Sequence, residues 1–172
     1  MTVPGSVSRK PGIIKFLVTY VALMGLFLLL IGYEPIKRVL DIDGLYSRGI
    51  VAVTAFFLES AGMAVRTSGT ILNIPGVALD IRFGCNGLEA VLIYSVALLA
   101  FPAPWIKRVT GILAGFVIMQ ALNIVRIIAL ALVRVHYPGF FELFHIYIAQ
   151  GVLIAVALVL FIAWIGYAQK GV

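Results

Sequence analysis

Apolar residues in this chain come in long runs separated by short polar breaks, and the runs locate the helices. Four of them, Ile13 to Gly32, Asn86 to Phe101, Trp105 to about Val135 and about His145 to Tyr167, are candidate membrane helices, a crossing of the hydrocarbon taking about 20 residues. The first follows Arg9, Lys10 and Lys15 and stops at Gly32-Tyr33-Glu34-Pro35 without a small-residue cleavage site, which reads as an uncleaved anchor. Pro102 and Pro104 close the second.

A fifth run, Leu45 to Val65, has a different character because Arg48, Thr54, Glu59, Ser60 and Arg66 interrupt it. Arg48, Ala52, Ala55, Glu59, Gly62 and Arg66 follow helical spacing and share one face, with Ile50, Val53, Phe56 and Phe57 mostly away from it. That pattern fits a helix lying in the membrane interface or packed obliquely among the others. Residues 67–83 then read as two short strands around an Asn73-Ile74-Pro75-Gly76 turn, since Leu79, Ile81 and Phe83 alternate with Asp80 and Arg82.

Composition agrees with the pattern. Of 172 residues 63% are apolar and 12% charged, where a soluble domain carries about 25% charged residues. An ordinary water-soluble enzyme, a disordered tail and a nucleic-acid binder with an all-round basic surface are excluded. Residues 1–172 read as one domain, without a linker or repeat. The net charge of +6 is segregated: Arg9/Lys10/Lys15, Lys107/Arg108 and Lys170 form basic clusters that the positive-inside rule puts in the cytoplasm. An even number of crossings must then separate Lys15 from Lys107, so 45–65 should not cross. The expected fold is an all-α polytopic membrane protein: four transmembrane helices, an interfacial helix and a short β-hairpin on the outer face, both termini cytoplasmic.

Chemistry narrows to a few residues. Cys85 is the only cysteine and His136 and His145 the only histidines, so no disulfide or metal cage is expected and no cofactor is implied. Cys85 is expected to begin the 86–101 helix at its outer end, where free backbone N–H groups favour a thiolate. Arg126 follows Lys107 by 19 residues, a rise of about 28 Å that carries it to the same end. His145 opens the last helix there. A thiol, a fixed cation and an imidazole at one depth are what covalent acyl transfer requires. Gln120, Asn123, Arg126 and Arg134 make a polar stripe on one helix face, and Glu89, four residues after Cys85, reads as the ion-pair partner of Arg126 or Arg134. Simpler roles cover the rest: Arg134, His136 and Tyr137 as interface anchors, Trp105 and Trp164 as the inner aromatic belt, and Gly25, Gly32, Gly111 and Gly115 as helix-packing positions.

Phe83-Gly84-Cys85-Asn86-Gly87-Leu88, then Asn123-Ile124-Val125-Arg126, then Phe144-His145 at the head of a final helix with Gly151 resemble the C-x-G, N-x-x-R and H signature of the exosortase/archaeosortase family, most like its compact exosortase H type, over roughly Leu45 to Ala163. Asn86 departs from the Ser or Thr of many members, and some relatives carry Arg where this chain has His145. The resemblance implies a membrane-embedded cysteine protease and transpeptidase of the bacterial plasma membrane. Its substrates would be secreted proteins with a C-terminal tail made of a short motif, a hydrophobic helix and a basic cluster. They would be cut at the outer face, and the acyl group would pass to water or to a cell-surface acceptor amine. Carried over by position, Cys85 matches the nucleophile, Arg126 the required arginine and His145 the third member, with Asn86, Gly87, Glu89, Asn123 and Arg134 around them. Membrane lipid is an expected partner; nucleic acid is not.

Two other classes fit the residues without the resemblance. One is a non-enzymatic membrane subunit whose Gln120/Asn123/Arg126 stripe binds lipid head groups or lines a transport path. The other is an acyltransferase using His145 alone. Both make Cys85 dispensable.

Overall fold

The computed structural model describes residues 12–39 and 41–170; Arg9 and Lys10 of the first basic cluster lie outside the described residues. The chain runs α1 (Ile13–Gly32), α2 (Glu34–Val39), α3 (Ile42–Ser60), β1 (Arg66–Ser68), β2 (Ile71–Ile74), β3 (Val77–Asp80), α4 (Leu88–Ala100) and α5 (Trp105–His136). A continuous helical stretch follows: a 3-10 turn Pro138–Phe140, one α-turn α6 (Phe141–Leu143), a π-helical segment Phe144–Ala149 and α7 (Gln150–Gln169). Among the described residues three stretches are long and apolar enough to cross a membrane, Ile13–Gly32, Trp105–His136 and Pro138–Gln169. The fourth expected span, α4, is apolar but only 13 residues long.

Short as it is, α4 is the centre of the bundle. Ala90, Val91, Tyr94 and Leu98 pack with Met119 of α5 and Leu153, Ala157 and Trp164 of α7 in one apolar core. Glycines set this packing. A Cβ at Gly111 would collide with Trp164 and one at Gly115 with the Tyr94 ring, so these two positions let aromatic rings lie against the α5 backbone. The polar ends of both rings are satisfied there: Tyr94 OH donates to Gly111 O at 3.0 Å and Trp164 Nε1 to Lys107 O at 2.9 Å. Trp164 is therefore a buried core residue rather than part of an aromatic belt, because Gly111 opens a slot that the indole fills; Trp105 is exposed. Gly25 and Gly32 face open space and are not packing positions.

The four long elements alternate in direction. Phe16, near the start of α1, packs against Phe101 just past α4 and Phe161 in α7, with ring centroids 6.3 Å away in both cases. Lys107, at the start of α5, donates to Ala168 O at 3.0 Å and Lys170 O at 2.7 Å. Lys15, Lys107 and Lys170 thus collect at one end of the bundle.

The other end carries a second core. Ile50, Val51, Ala55 and Leu58 of α3 pack on Leu72 and Ile74 of β2, Ile81, and Ile127 and Ala131 of α5. The helix α3 presents three faces: this buried one, an exposed apolar one with Leu45, Val53, Phe56 and Phe57, and between them an edge with Asp41, Arg48 and Glu59. Arg48, Ala55 and Glu59 share one side of this helix as expected, with Ala55 at its buried margin. The helix ends at Ser60, so Gly62 and Arg66 are not on it. The expected two-stranded hairpin is a three-stranded antiparallel sheet in the order β1-β2-β3. The Pro75-Gly76 turn and the inward alternation of Leu79 and Ile81 stand as read; β1, three exposed residues, carries no alternation that a sequence pattern can register.

Candidate functional site

Between the two cores lies the turn Arg82–Gly87. Both Cys85 N and Asn86 N donate to Arg82 O, at 2.8 and 2.9 Å. Gly84 and Gly87 take φ of +88° and +79°, a region that side-chain-bearing residues avoid. A Cβ at Gly87 would also lie 2.8 Å from Asn123 Cγ, so only glycine lets this turn approach α5. Helix α4 consequently starts at Leu88, and Cys85 does not begin a helix as expected. It precedes the helix by three residues, and its own N–H is already engaged. The helix N-terminus expected to favour a thiolate therefore does not lie at Cys85.

Asn86 is the fastener of this turn. It is wholly buried; Nδ2 donates to Asp43 Oδ1 at 2.7 Å and Ser47 Oγ at 2.8 Å, both on α3, while Oδ1 accepts from Leu88 N at 3.0 Å. All its hydrogen-bonding groups are used, across two elements that are distant in sequence.

Arg126 holds the turn from the other side. Nη1 donates to Cys85 O and to Asn123 Oδ1, each at 3.2 Å, and Nη2 to Gln150 Oε1 at 3.2 Å and Gly84 O at 3.5 Å. Nε–H has no partner among the described residues. The stripe expected on α5 is present and divides its work: Gln120 donates to Tyr46 OH on α3, Asn123 and Arg126 meet the turn, and Arg134 lies exposed further along.

The third member arrives from the last helical stretch. Cys85 Sγ lies 3.6 Å from His145 Nε2 and 3.8 Å from Nδ1. The imidazole stacks on Phe141 with centroids 5.7 Å apart and 7° between planes, and the Arg134 guanidinium carbon lies 5.0 Å from the centroid of the same Phe141 ring. His145 is thus oriented by stacking on Phe141. The π-helical segment explains Gln150: with i→i+5 bonding, residues five apart lie one above the other, so His145 and Gln150 face the same site.

Glu89 takes no part in these contacts. The ion pairs among the described residues are Arg48–Asp41 and Arg82–Asp80; Glu89, half-buried, faces a recess lined by Tyr20, Met24 and Leu28 of α1. The direct ion pair expected with Arg126 or Arg134 is thus not formed, although Glu89 stays near enough to Arg126 for its charge to be felt there.

A cleft of about 300 Å³ opens beside the thiol. One wall is strand β3 from Ala78 on, another is α5 at Ile127, Leu130 and Arg134, and Phe141, Glu142 and His145 close it. Cys85 and His145 thus face a space large enough for a short stretch of peptide, with Arg126 buried behind the turn and bonded to the Cys85 carbonyl.

A family model described as transmembrane exosortase (Exosortase_EpsH) matches residues 7–163. The chain belongs to that family. No curated protein and no solved structure matches it. In this exosortase the three segments of the signature are the three that meet at the cleft. Asp43, Ser47, Phe141 and Gln150 also belong to the site and are invisible to that signature. Of these, only Gln150 leaves a trace in the sequence, as an amide in an otherwise apolar run.

Proposed function

We propose that this exosortase is a membrane-embedded cysteine protease and transpeptidase that cuts the C-terminal sorting tail of secreted proteins at the outer face of the bacterial plasma membrane. The observation that carries the reading is the 3.6 Å approach of Cys85 Sγ to His145 Nε2 beside a guanidinium bonded to the Cys85 carbonyl.

The pairing of the Cys85 sulfur with the His145 imidazole defines the order of events. His145 takes the Cys85 proton as sulfur attacks the scissile carbonyl carbon, so the C–S bond forms as the carbonyl becomes an oxyanion. Arg126, unable to give up its proton and bonded to the Cys85 carbonyl, opposes that negative charge from behind the turn. The C–N bond then breaks, the departing amine taking the proton from His145. Water or an acceptor amine attacks the thioester, returns a proton to sulfur through His145 and releases the product.

The topology proposed with this function is four crossings, with the basic end of the bundle in the cytoplasm and the cleft outside. At about 20 Å of rise α4 does not fill a core of about 30 Å; the Arg82–Gly87 turn completes the crossing, shielded by α1, α5 and α7. Helix α3 lies at the outer surface, its Phe56 and Phe57 edge toward lipid and its Arg48 and Glu59 edge toward water. The hydrophobic helix of a substrate tail would then reach the cleft from within the bilayer.

The experiment is accumulation of uncleaved tailed precursors, followed by immunoblot and terminal mass spectrometry in cells carrying Cys85→Ser, Arg126→Gln or His145→Ala. Each is expected to stop processing while the protein remains in the membrane. Normal processing by Cys85→Ser would overturn the reading and leave the non-enzymatic subunit.

A further inference from the structure

Strand β3 is the open edge of the sheet, because the order β1-β2-β3 leaves its far side without a partner strand. The register fixes which groups that edge offers. Ile81 N donates to Thr70 O at 2.9 Å, which makes Thr70/Ile81 a hydrogen-bonded pair, and with Leu72↔Leu79 and Ile74↔Val77 following the same parity, residues 77, 79 and 81 direct their backbone toward β2. Ala78 and Asp80 therefore direct their N–H and C=O groups outward. Both residues line the cleft that contains Cys85 and His145. The Asp80 side chain is drawn back from the edge, accepting from Thr70 Oγ1 at 2.7 Å and pairing with Arg82 at 2.6 Å.

An exposed edge with free backbone groups is a template for another strand, and proteins ordinarily cover or charge such edges. Here the edge faces a cleft whose other walls are α5 at Ile127 and Leu130 and then Phe141. We propose that the peptide to be cut binds there as a fourth strand, hydrogen-bonded in extended form to Ala78 and Asp80, which delivers its scissile carbonyl to Cys85. The inference rests on the transpeptidase reading and adds to it the conformation in which substrate is held and the backbone groups that hold it. In this mode main-chain bonds supply affinity and alternate side chains supply specificity. Every second substrate residue would face Ile127 and Leu130, and those between would face outward.

The test uses the purified full chain in detergent and a probe free of any sorting motif, an acetylated tri-alanyl vinyl sulfone that alkylates Cys85. Its rate is expressed as a ratio to that of N-ethylmaleimide on the same protein. The peptide is expected to raise this ratio at least about tenfold over methyl vinyl sulfone. N-methylation at the peptide positions of one parity should abolish the gain, and at the other parity preserve it, because only alternate amides meet an edge strand. Ala78→Pro, which removes an outward N–H without touching the β2 ladder, should cut the ratio in the same way. Equal effects of N-methylation at both parities in the wild-type protein would overturn the edge-strand proposal whether or not Ala78→Pro folds. Failure of the parent reading looks different: alkylation by every reagent would be indifferent to His145→Ala.

Discussion

Asn86 and Asp43, far apart in sequence, are joined by a 2.7 Å hydrogen bond that fastens the Cys85 turn to the first turn of α3. The carboxylate is the stronger acceptor of the two that Asn86 finds on that helix, and hydrogen bonds to charged groups contribute about 1.5–3 kcal/mol. A double-mutant cycle of Asn86→Ala and Asp43→Ala, followed by thermal unfolding in detergent, should give a coupling of about 2 kcal/mol. Asn86→Ser should still lose part of it. A hydroxyl at that position is too short to serve both α3 and Leu88 N. Additive effects in the cycle would dissociate α3 from the nucleophile's turn.

Arg126→Lys tests geometry at constant charge. The guanidinium reaches the carbonyls of Gly84 and Cys85 and the amides of Asn123 and Gln150 together; an ammonium has three donors and no planar fork. Processing of a tailed substrate, followed by pulse-chase, should fall about 100-fold or more, the scale seen on losing a donor aimed at developing charge. A rate within a few-fold of wild type would remove Arg126 from the chemistry and leave it a point charge.

Cys85 should label with a membrane-impermeant maleimide applied from outside, at a rate that rises with pH as the thiolate fraction grows. A cation beside a thiol favours the thiolate, and Arg126 is bonded to the Cys85 carbonyl, so Arg126→Gln should move the midpoint up and lower the rate at any fixed pH below it. A midpoint that stays put or drops in Arg126→Gln would show that the Arg126 cation does not favour the thiolate.

The convergence of Cys85, Arg126 and His145 was legible in the sequence because depth in a bundle follows from counting: rise per residue is constant, and the charge clusters mark where counting starts. Azimuth was not. Glu89 was assigned a face by its spacing from Cys85, but two glycines with positive φ delay the helix to Leu88. Trp164 was placed by the preference of indoles for interfaces, which the slot at Gly111 overrides. Nothing in Phe144–Ala149 announces a π-helical segment, so the alignment of Gln150 with His145 needed coordinates. The contacts from Asp43 and Ser47 were equally hidden, since they depend on how a helix outside the signature docks against it.

Glu89→Gln distinguishes these two views of that residue. An ion pair to Arg126 would make the substitution destabilising and lower abundance. With Glu89 instead beside Tyr20, Met24 and Leu28, removing its charge should leave abundance and processing within about twofold, the ordinary range for a side chain without a partner. A marked loss of folded protein would show that the carboxylate has a partner after all.

Gly87→Ala should impair processing more than stability. An alanine at φ +79° costs about 1 kcal/mol, a modest part of a domain's stability. Its methyl, however, would fall 2.8 Å from Asn123 Cγ, and the amide it pushes aside is the one whose oxygen accepts from Arg126 at 3.2 Å. The displacement therefore passes to the guanidinium and from there to the Cys85 carbonyl. Processing is expected to drop at least about tenfold while the unfolding midpoint falls by a few degrees. If the damage runs through Asn123, adding Asn123→Ser to Gly87→Ala should cost little more than Gly87→Ala alone, the two changes being non-additive. Full additivity in processing rate would show that Gly87 acts on Cys85 through the backbone of the turn and not through α5.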